Sequence, residues 1–87
     1  MNGRTLVAWN LRRLRTERGL SQERLAADSG IDRAYVSELE RGLGNASVDL
    51  LDRLAGLLRV EIGAFFVKPD DSEQPPAPLK SGRRPRR

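Results

Sequence analysis

Apolar residues recur at helical spacing along the first 68 residues of the chain. Val7, Leu11 and Leu14 fall at positions i, i+4 and i+7, on one face of a helix that we predict from about Thr5 to Arg18. No stretch alternates between apolar and polar residues for long enough to indicate a β-strand. The pattern therefore predicts an all-α domain of five short helices.

Capping residues set the boundaries of the other four helices. Serine and aspartate side chains can accept hydrogen bonds from first-turn backbone N–H groups, and glycine readily ends a helix. The second helix is predicted to start after Ser21 and end at Gly30, the third to run from its cap Asp32 to Gly42, the fourth to start after its cap Ser47, and the short fifth to span Glu61 to Phe66. These helices carry the other recurring apolar positions, which are Leu25, Ala26, Val36, Leu39, Leu50, Leu51, Leu54, Leu58, Ile62, Phe65 and Phe66.

The composition changes sharply after residue 68. All five prolines lie in residues 69–87, where Leu79 is the only sizeable apolar side chain. Such a segment cannot bury enough apolar surface to offset the entropy of ordering it. We therefore predict a folded domain at residues 1–68 and a disordered Pro/Arg-rich tail at residues 69–87. The basic end of the tail, residues 82–87, is expected either to clamp DNA nonspecifically or to act as a solubilising extension.

The 87-residue chain contains no cysteine and no histidine. This excludes disulfides, zinc sites built on Cys or His, and a histidine general acid or base, so we expect no enzymatic activity, no metal and no cofactor. The net charge of +4 favours an anionic partner. No apolar run approaches the length of about 18 residues that a membrane span needs, and no signal peptide is evident, so a cytoplasmic location is expected.

The spacing within residues 21–42 is the most informative feature of the sequence. Counting Gln22 as the first position, Ala26 is fifth, Gly30 ninth and Val36 fifteenth. A small residue lets two helices cross closely, glycine tolerates a positive φ in the turn between them, and a β-branched residue fills the angle that they enclose. This is the pattern of a helix-turn-helix, in which the second helix enters the major groove of DNA.

Around this spacing the sequence resembles the phage-repressor and Cro type of helix-turn-helix proteins, from about Leu11 to Phe66. The segments that carry the resemblance are LRRLRTERGLSQERLA, YVSELERG and NASVDLLDRLAGLLRV. The YVSELERG segment, with its following loop and asparagine, is also similar to restriction–modification controller proteins. The resemblance implies a lambda-repressor-like five-helix domain that binds double-stranded operator DNA and regulates transcription.

The sequence departs from this family at three places. Ala46 replaces a common proline, and Leu43-Gly44 replaces a pair that is usually basic. Arg59 stands where the family often ends a helix with glycine. The second departure removes two of the phosphate contacts that the family resemblance would imply.

The third helix carries the candidate base-reading residues. In the family, the residues that match Arg33, Ala34 and Glu38 face base edges, and Ser37 shares their outer half of the helix. Arginine can pair with guanine O6 and N7, glutamate can accept from cytosine N4, and alanine can touch a thymine methyl group. The alternative for Arg33 and Glu38 is an ordinary solvated helix face, and Glu38 could also discriminate against sites without contacting a base.

Other residues are expected to position the DNA backbone or the helices. The family's glutamine at Gln22 holds a phosphate or a neighbouring recognition residue, and Arg15 and Glu40 match a partly buried ion pair that we treat as structural. The hydroxyl of Tyr35 is expected at a phosphate, with packing of its ring over the core edge as the alternative. The expected phosphate-contacting residues are Gln22, Tyr35, Arg41 and Asn45.

A single recognition helix reads only a few base pairs, which is too little to specify an operator in a genome. We therefore expect a homodimer on a palindromic operator, with half-sites about 34 Å apart. Leu57, Ile62 and Phe66 are the expected dimer contacts, with Gly56 allowing close approach and Phe65 pointing into its own core.

The alternative function is an antitoxin or interaction module that binds a partner protein and autoregulates its operon. The sequence does not determine the base sequence of the operator, or whether the protein represses or activates transcription.

Overall fold

The computed structural model describes residues 1–70. Within them lie four α-helices and one 3₁₀ helix: α1 spans Gly3–Glu17, α2 Gln22–Ser29, α3 Arg33–Glu40, α4 Val48–Leu58, and the 3₁₀ helix Ile62–Phe66. No β-strand occurs in this part of the chain, so the prediction of an all-α domain is confirmed. Among the described residues, no helix combines the length and the apolar character that crossing a membrane requires. The domain boundary at residue 68 stays a prediction, and residues 71–87 of the predicted tail, including its basic end, lie outside the described residues.

The helix starts follow the side chains that can cap them, with two differences from the sequence prediction. Ser21 and Ser47 each accept a first-turn backbone N–H at 3.0 Å, as expected. Helix α1 starts two residues earlier than predicted, because the side chain of Asn2 caps its first turn at 2.9 Å. Asp32 is the N-cap residue of α3, as predicted, but its side chain makes no capping hydrogen bond, and the N–H of Tyr35 bonds to its backbone oxygen at 3.0 Å.

The buried apolar side chains form one cluster, because α1 packs against α3 and the 3₁₀ helix, and α2 packs against α3 and α4. Phe65 is fully buried, as the sequence predicts. Leu50 and Ile62 are only partly buried, and Phe66 is 45% exposed, so these three apolar side chains lie at the edge of the core. The residues of the cluster are Val7, Leu11, Leu14, Leu25, Ala26, Val36, Leu39, Leu51, Leu54, Ala55, Leu58 and Phe65.

Helix α4 ends in a left-handed residue that is not glycine. Arg59 has φ 59° and ψ 46°, and among the described residues it is the only non-glycine residue with a positive φ. Its N–H still satisfies backbone oxygens at the end of α4. A Cβ atom is disfavoured in this conformation, so the departure from the family's usual glycine carries a cost in stability.

We expect Arg59→Gly to be more stable than Arg59→Ala by about 1 kcal/mol, since both variants lose the same charge and only alanine keeps the strained Cβ. Urea denaturation of the two variants measures this difference. Alanine serves as the matched control, because an arginine at a helix C-terminus also gains about 0.3–1 kcal/mol from the helix dipole. Equal stability of the two variants would contradict the expectation.

The side-chain amide of Asn10 is fully buried, and the hydrophobic pattern of the sequence predicts no function for it. Its Nδ2 atom lies within hydrogen-bond distance of three backbone oxygens, those of Leu6 and Phe65, both at 2.9 Å, and of Val67, at 2.8 Å, which share its two N–H donors. Its Oδ1 atom accepts from Nη2 of Arg13 at 3.0 Å. A side chain of α1 therefore fastens the segment that follows the 3₁₀ helix to the rest of the domain.

Asn10→Ala should lower the free energy of unfolding by roughly 2–3 kcal/mol, because it leaves buried carbonyl oxygens without donors. Thermal unfolding followed by circular dichroism measures the loss. Asn2→Ala is the control, since it removes an exposed capping amide and should cost only about 1 kcal/mol. A loss at Asn10 no larger than at Asn2 would show that the fastening contributes little.

Candidate nucleic-acid interface

The turn between α2 and α3 has the geometry that the residue spacing predicts. Ala26 and Val36 are both buried, where the two helices meet. Gly30 ends α2 with φ 76°, the left-handed conformation that favours glycine. Arg53 of α4 donates to the backbone oxygen of Ser29 at 3.0 Å, which satisfies a carbonyl at the same helix end. Two short helices are thus held at a fixed angle, with one side of α3 left uncovered.

The uncovered side of α3 carries the four candidate base-reading residues. Arg33, Ala34 and Glu38 are exposed and Ser37 is partly exposed, whereas Val36 on the other side is fully buried. Positions three or four apart share one face of a helix, which places these four side chains together. An α-helix with its side chains is about 10–12 Å across, which fits the width of about 12 Å of the DNA major groove.

An ion pair that the sequence analysis missed joins the starts of α2 and α3. Nε of Arg33 lies 3.1 Å from Oε2 of Glu23, with the two side chains 59% and 68% exposed. Exposed ion pairs contribute about 0–1 kcal/mol, so Arg33 can leave Glu23 for another acceptor at little cost. The signal was present in the sequence: a carboxylate in the first turn of α2 and an arginine in the first turn of α3, which the turn brings together.

The four candidate phosphate-contacting residues divide into two pairs. Gln22 and Tyr35 already have protein partners: Nε2 of Gln22 donates to Oε1 of Glu40 at 3.0 Å, and the hydroxyl of Tyr35 donates to the backbone oxygen of Asn45 at 3.1 Å. Arg41 and Asn45 are exposed. Arg41 makes one long hydrogen bond, 3.4 Å from its Nε to the backbone oxygen of Ser37.

Arg15 and Glu40 form a two-point ion pair in the interior. Nε and Nη2 of Arg15 lie 2.5 Å and 2.9 Å from the two carboxylate oxygens of Glu40, and the side chains are only 6% and 4% exposed. Nη1 of Arg15 also donates to the backbone oxygen of Leu20 at 2.7 Å. The pair joins α1 to the last residue of α3, so it fixes how the recognition helix sits on the domain.

The loop between α3 and α4 explains one departure from the family. A Cβ atom on Gly44 would lie 2.5 Å from Cδ2 of Leu39 and 3.3 Å from its backbone Cα. A side chain at position 44 therefore requires the buried Leu39 side chain or the loop to move. The neighbouring Leu43 is exposed and apolar, so this loop offers no cation at either position.

The three predicted dimer-contact residues lie on α4 and the 3₁₀ helix. Phe66 is 45% exposed, Leu57 is 36% exposed and Ile62 is partly buried. The space around Gly56 is open, since a Cβ atom there would meet nothing within 4 Å. Within residues 1–70, no second helix approaches Gly56, so a close helix crossing inside the described chain does not explain this glycine.

Comparison with known proteins places this geometry in a family. A family model described as helix-turn-helix matches residues 11–65. A curated relative, the uncharacterized HTH-type transcriptional regulator y4dJ of Sinorhizobium fredii, is 48% identical over 60 residues, which are 69% of this chain and 78% of that protein. For several other curated relatives, the match covers less than two thirds of their own length, down to 35%.

Two solved structures are similar in both sequence and fold. The restriction–modification controller protein C.AhdI of Aeromonas hydrophila is 44% identical, with a TM-score of 0.69 over 72% of this chain and 96% of that one. The biofilm regulator SinR, solved in complex with DNA, is 28% identical, with a TM-score of 0.65 over 68% of this chain and 95% of that one. The resemblance to restriction–modification controller proteins that the sequence indicates is thereby confirmed.

Proposed function

The chain belongs to the helix-turn-helix family, and on that premise we propose that it is a transcriptional regulator that binds a palindromic DNA operator as a homodimer. The family consists of DNA-binding regulators rather than enzymes. The observation that carries the proposal is the uncovered side of α3, where Arg33, Ala34 and Glu38 are exposed while the opposite side is buried. Since its ligand is genomic DNA, we place the protein in the cytoplasm.

The chemistry of the uncovered side suits direct readout. Arg33 can donate two hydrogen bonds to guanine, Glu38 can accept from cytosine, and Ser37 can bond either base edge. Ala34 can contact a thymine methyl group. Because Glu23 holds Arg33 only through an exposed ion pair, guanine is a competitive acceptor for its guanidinium.

The phosphate contacts are assigned to the residues that are free to make them. We propose that Arg41 and Asn45, both exposed, contact the DNA backbone beside the end of α3. For Gln22 we favour the second role that the resemblance implies, holding a neighbouring residue, because its amide donates to Glu40. A phosphate oxygen only accepts hydrogen bonds, so Tyr35 would have to release Asn45 before donating to one.

The dimer is proposed from the apolar surface on α4 and the 3₁₀ helix. Leu57 on α4 and Phe66 on the 3₁₀ helix are each more than a third exposed. Ile62, which begins the 3₁₀ helix, is partly exposed. A two-fold contact uses the same patch on both subunits, so a small apolar patch counts twice. Pairing doubles the number of base pairs read, as a genomic operator requires.

Selection of bound duplexes from a random pool tests the proposal, and recovery of a palindrome supports it. On the selected site we expect Arg33→Ala to cost about 1–3 kcal/mol, with a much smaller loss on random duplexes, because base readout is lost and the fold is not. Titration of both duplexes by fluorescence anisotropy measures the two losses.

Arg24→Ala is the matched control for this experiment. Arg24 is also exposed and also paired with one carboxylate, Asp28 at 3.0 Å, but it lies on α2. It should change the affinities for selected and random duplexes by the same factor. Equal losses on both duplexes for Arg33→Ala would restrict Arg33 to the DNA backbone.

A further inference from the structure

Most arginines in residues 1–70 have a protein acceptor. Arg13, Arg15, Arg24 and Arg33 pair with carboxylates, and Arg18 and Arg53 donate to backbone oxygens at helix ends. The guanidinium groups of Arg4, Arg12 and Arg59 make no hydrogen bond and no ion pair within residues 1–70, and of these three only Arg12 is partly buried. A guanidinium group carries five N–H donors and a permanent positive charge, so an arginine without a protein acceptor is suited to bind an anion.

Arg12 lies in a cleft between α1 and the end of α3, which we call the Trp9 cleft. The cleft has a volume of about 200 Å³ and is lined by Ala8, Trp9 and Arg12 on one side and by Glu40 and Arg41 on the other. The carboxylate of Glu40 is already engaged by Arg15 and Gln22. The two arginines that line the cleft therefore have no available carboxylate within it.

The Trp9 cleft lies at the end of α3, where Arg41 is among its lining residues. Arg41 follows Glu38 by three residues, so the two lie on neighbouring positions of the same helix side. With α3 in a major groove, one of the flanking phosphate backbones runs past an end of the helix. The end that carries Arg41 is also the end that lines the Trp9 cleft.

We infer that the Trp9 cleft binds a phosphate of the DNA backbone, with Arg12 as its principal donor and Arg41 beside it. The inference rests on the proposed function and extends the DNA contact from α3 to α1. Two guanidinium groups supply the charge, and the indole N–H of Trp9 is a further donor with no hydrogen bond inside residues 1–70. The contact reads no base, so its contribution is the same for every sequence.

The salt dependence of binding tests this contact in the full chain. Each phosphate contact contributes about −0.9 to the slope of log K against log salt concentration. Arg12→Gln should therefore make the slope shallower by about 0.9, on the selected operator and on random duplexes alike. Arg59→Gln removes the same charge on α4, away from the cleft, and should leave the slope unchanged.

Trp9 gives a second readout that a change in overall charge would not move. It is the only tryptophan of the chain and is partly exposed in the cleft wall. Duplex DNA should change its fluorescence emission in the unmodified protein, and Arg12→Gln should reduce that change at saturating DNA. Millimolar inorganic phosphate should have no such effect.

The outcomes separate this inference from the function on which it rests. If the unmodified protein binds no duplex, the proposed function fails. If it binds, but Arg12→Gln keeps the full slope and the full change in emission, only the Trp9 cleft contact is overturned. A change in emission as large with inorganic phosphate as with DNA would assign the cleft to a free anion and overturn the duplex contact.

Discussion

Glu40→Gln is expected to lower the free energy of unfolding by about 3–5 kcal/mol, because it leaves the buried charge of Arg15 without a counter-ion. The structure supports the upper part of this range, since both oxygens of Glu40 are used and the two side chains are 6% and 4% exposed. Domains of this size are stable by only about 5–15 kcal/mol in total. Chemical denaturation should therefore show a large fall in the midpoint, and a protein that is partly unfolded in buffer if its total stability lies near the lower end of that range.

The double replacement Arg15→Met with Glu40→Leu is the control that identifies charge as the cause. Apolar residues of similar volume in place of a buried ion pair are often neutral or stabilising, so the double variant should be more stable than Glu40→Gln. Its operator affinity should nevertheless fall, because the pair joins α1 to the end of the recognition helix. If the losses in free energy of unfolding from Arg15→Met alone and Glu40→Leu alone add up to the loss in the double variant, the two residues are not a buried, coupled pair.

The parts of the fold that depend on local rules were predictable from the sequence. Periodicity identifies buried faces because every third or fourth residue of a helix points the same way. Serine caps at Ser21 and Ser47 and the left-handed Gly30 act within a few residues of their own position, so their effect is visible in the sequence. The spacing of Ala26, Gly30 and Val36 is predictive because these three residues together determine the angle at a single turn between two helices.

The parts that sequence alone did not give depend on residues far apart in the chain. Asn10 interrupts an apolar run, and only the folded chain brings it to the backbone of Phe65 and Val67, more than 50 residues later. Helical period predicts that a position faces inward, but not whether a buried amide finds acceptors there. By contrast, the different burial of Phe65 and Phe66 agrees with the sequence prediction: Phe65, expected in the core, is fully buried, and Phe66, expected at a dimer contact, is 45% exposed.

The two glycine-related departures from the family have opposite physical causes. At position 44 the absence of a side chain is required, because the loop passes against Leu39. At position 59 the presence of a side chain is tolerated at a cost, since Arg59 adopts the left-handed conformation without glycine. The sequence identifies both positions as unusual. Only the backbone geometry shows that position 44 lacks space for a side chain, whereas position 59 carries one in a strained conformation.

Phe66→Asp is expected to dissociate the homodimer and weaken operator binding by roughly 100-fold or more. Two-fold symmetry places a carboxylate from each subunit in the same contact, where burial without a partner is costly. Loss of pairing also removes the gain from linked half-sites, which is about 10²–10⁴ in affinity. Since Phe66 is 45% exposed in the single chain, the variant loses only part of one side chain's burial and should remain folded. Sedimentation at micromolar concentration and operator titration measure the two effects.

Val48→Asp is the control for the dimer. Val48 is also an exposed apolar residue, but it begins α4, whereas Leu57 lies at the opposite end of that helix. Its replacement should leave the sedimentation coefficient unchanged, and circular dichroism of both variants shows whether the helices are retained. A carboxylate in the first turn of a helix is favourable, so any dissociation in this variant would point to a contact elsewhere than the 3₁₀ helix. The dimer is refuted if the unmodified protein sediments as a monomer and fills the two half-sites of a palindrome independently.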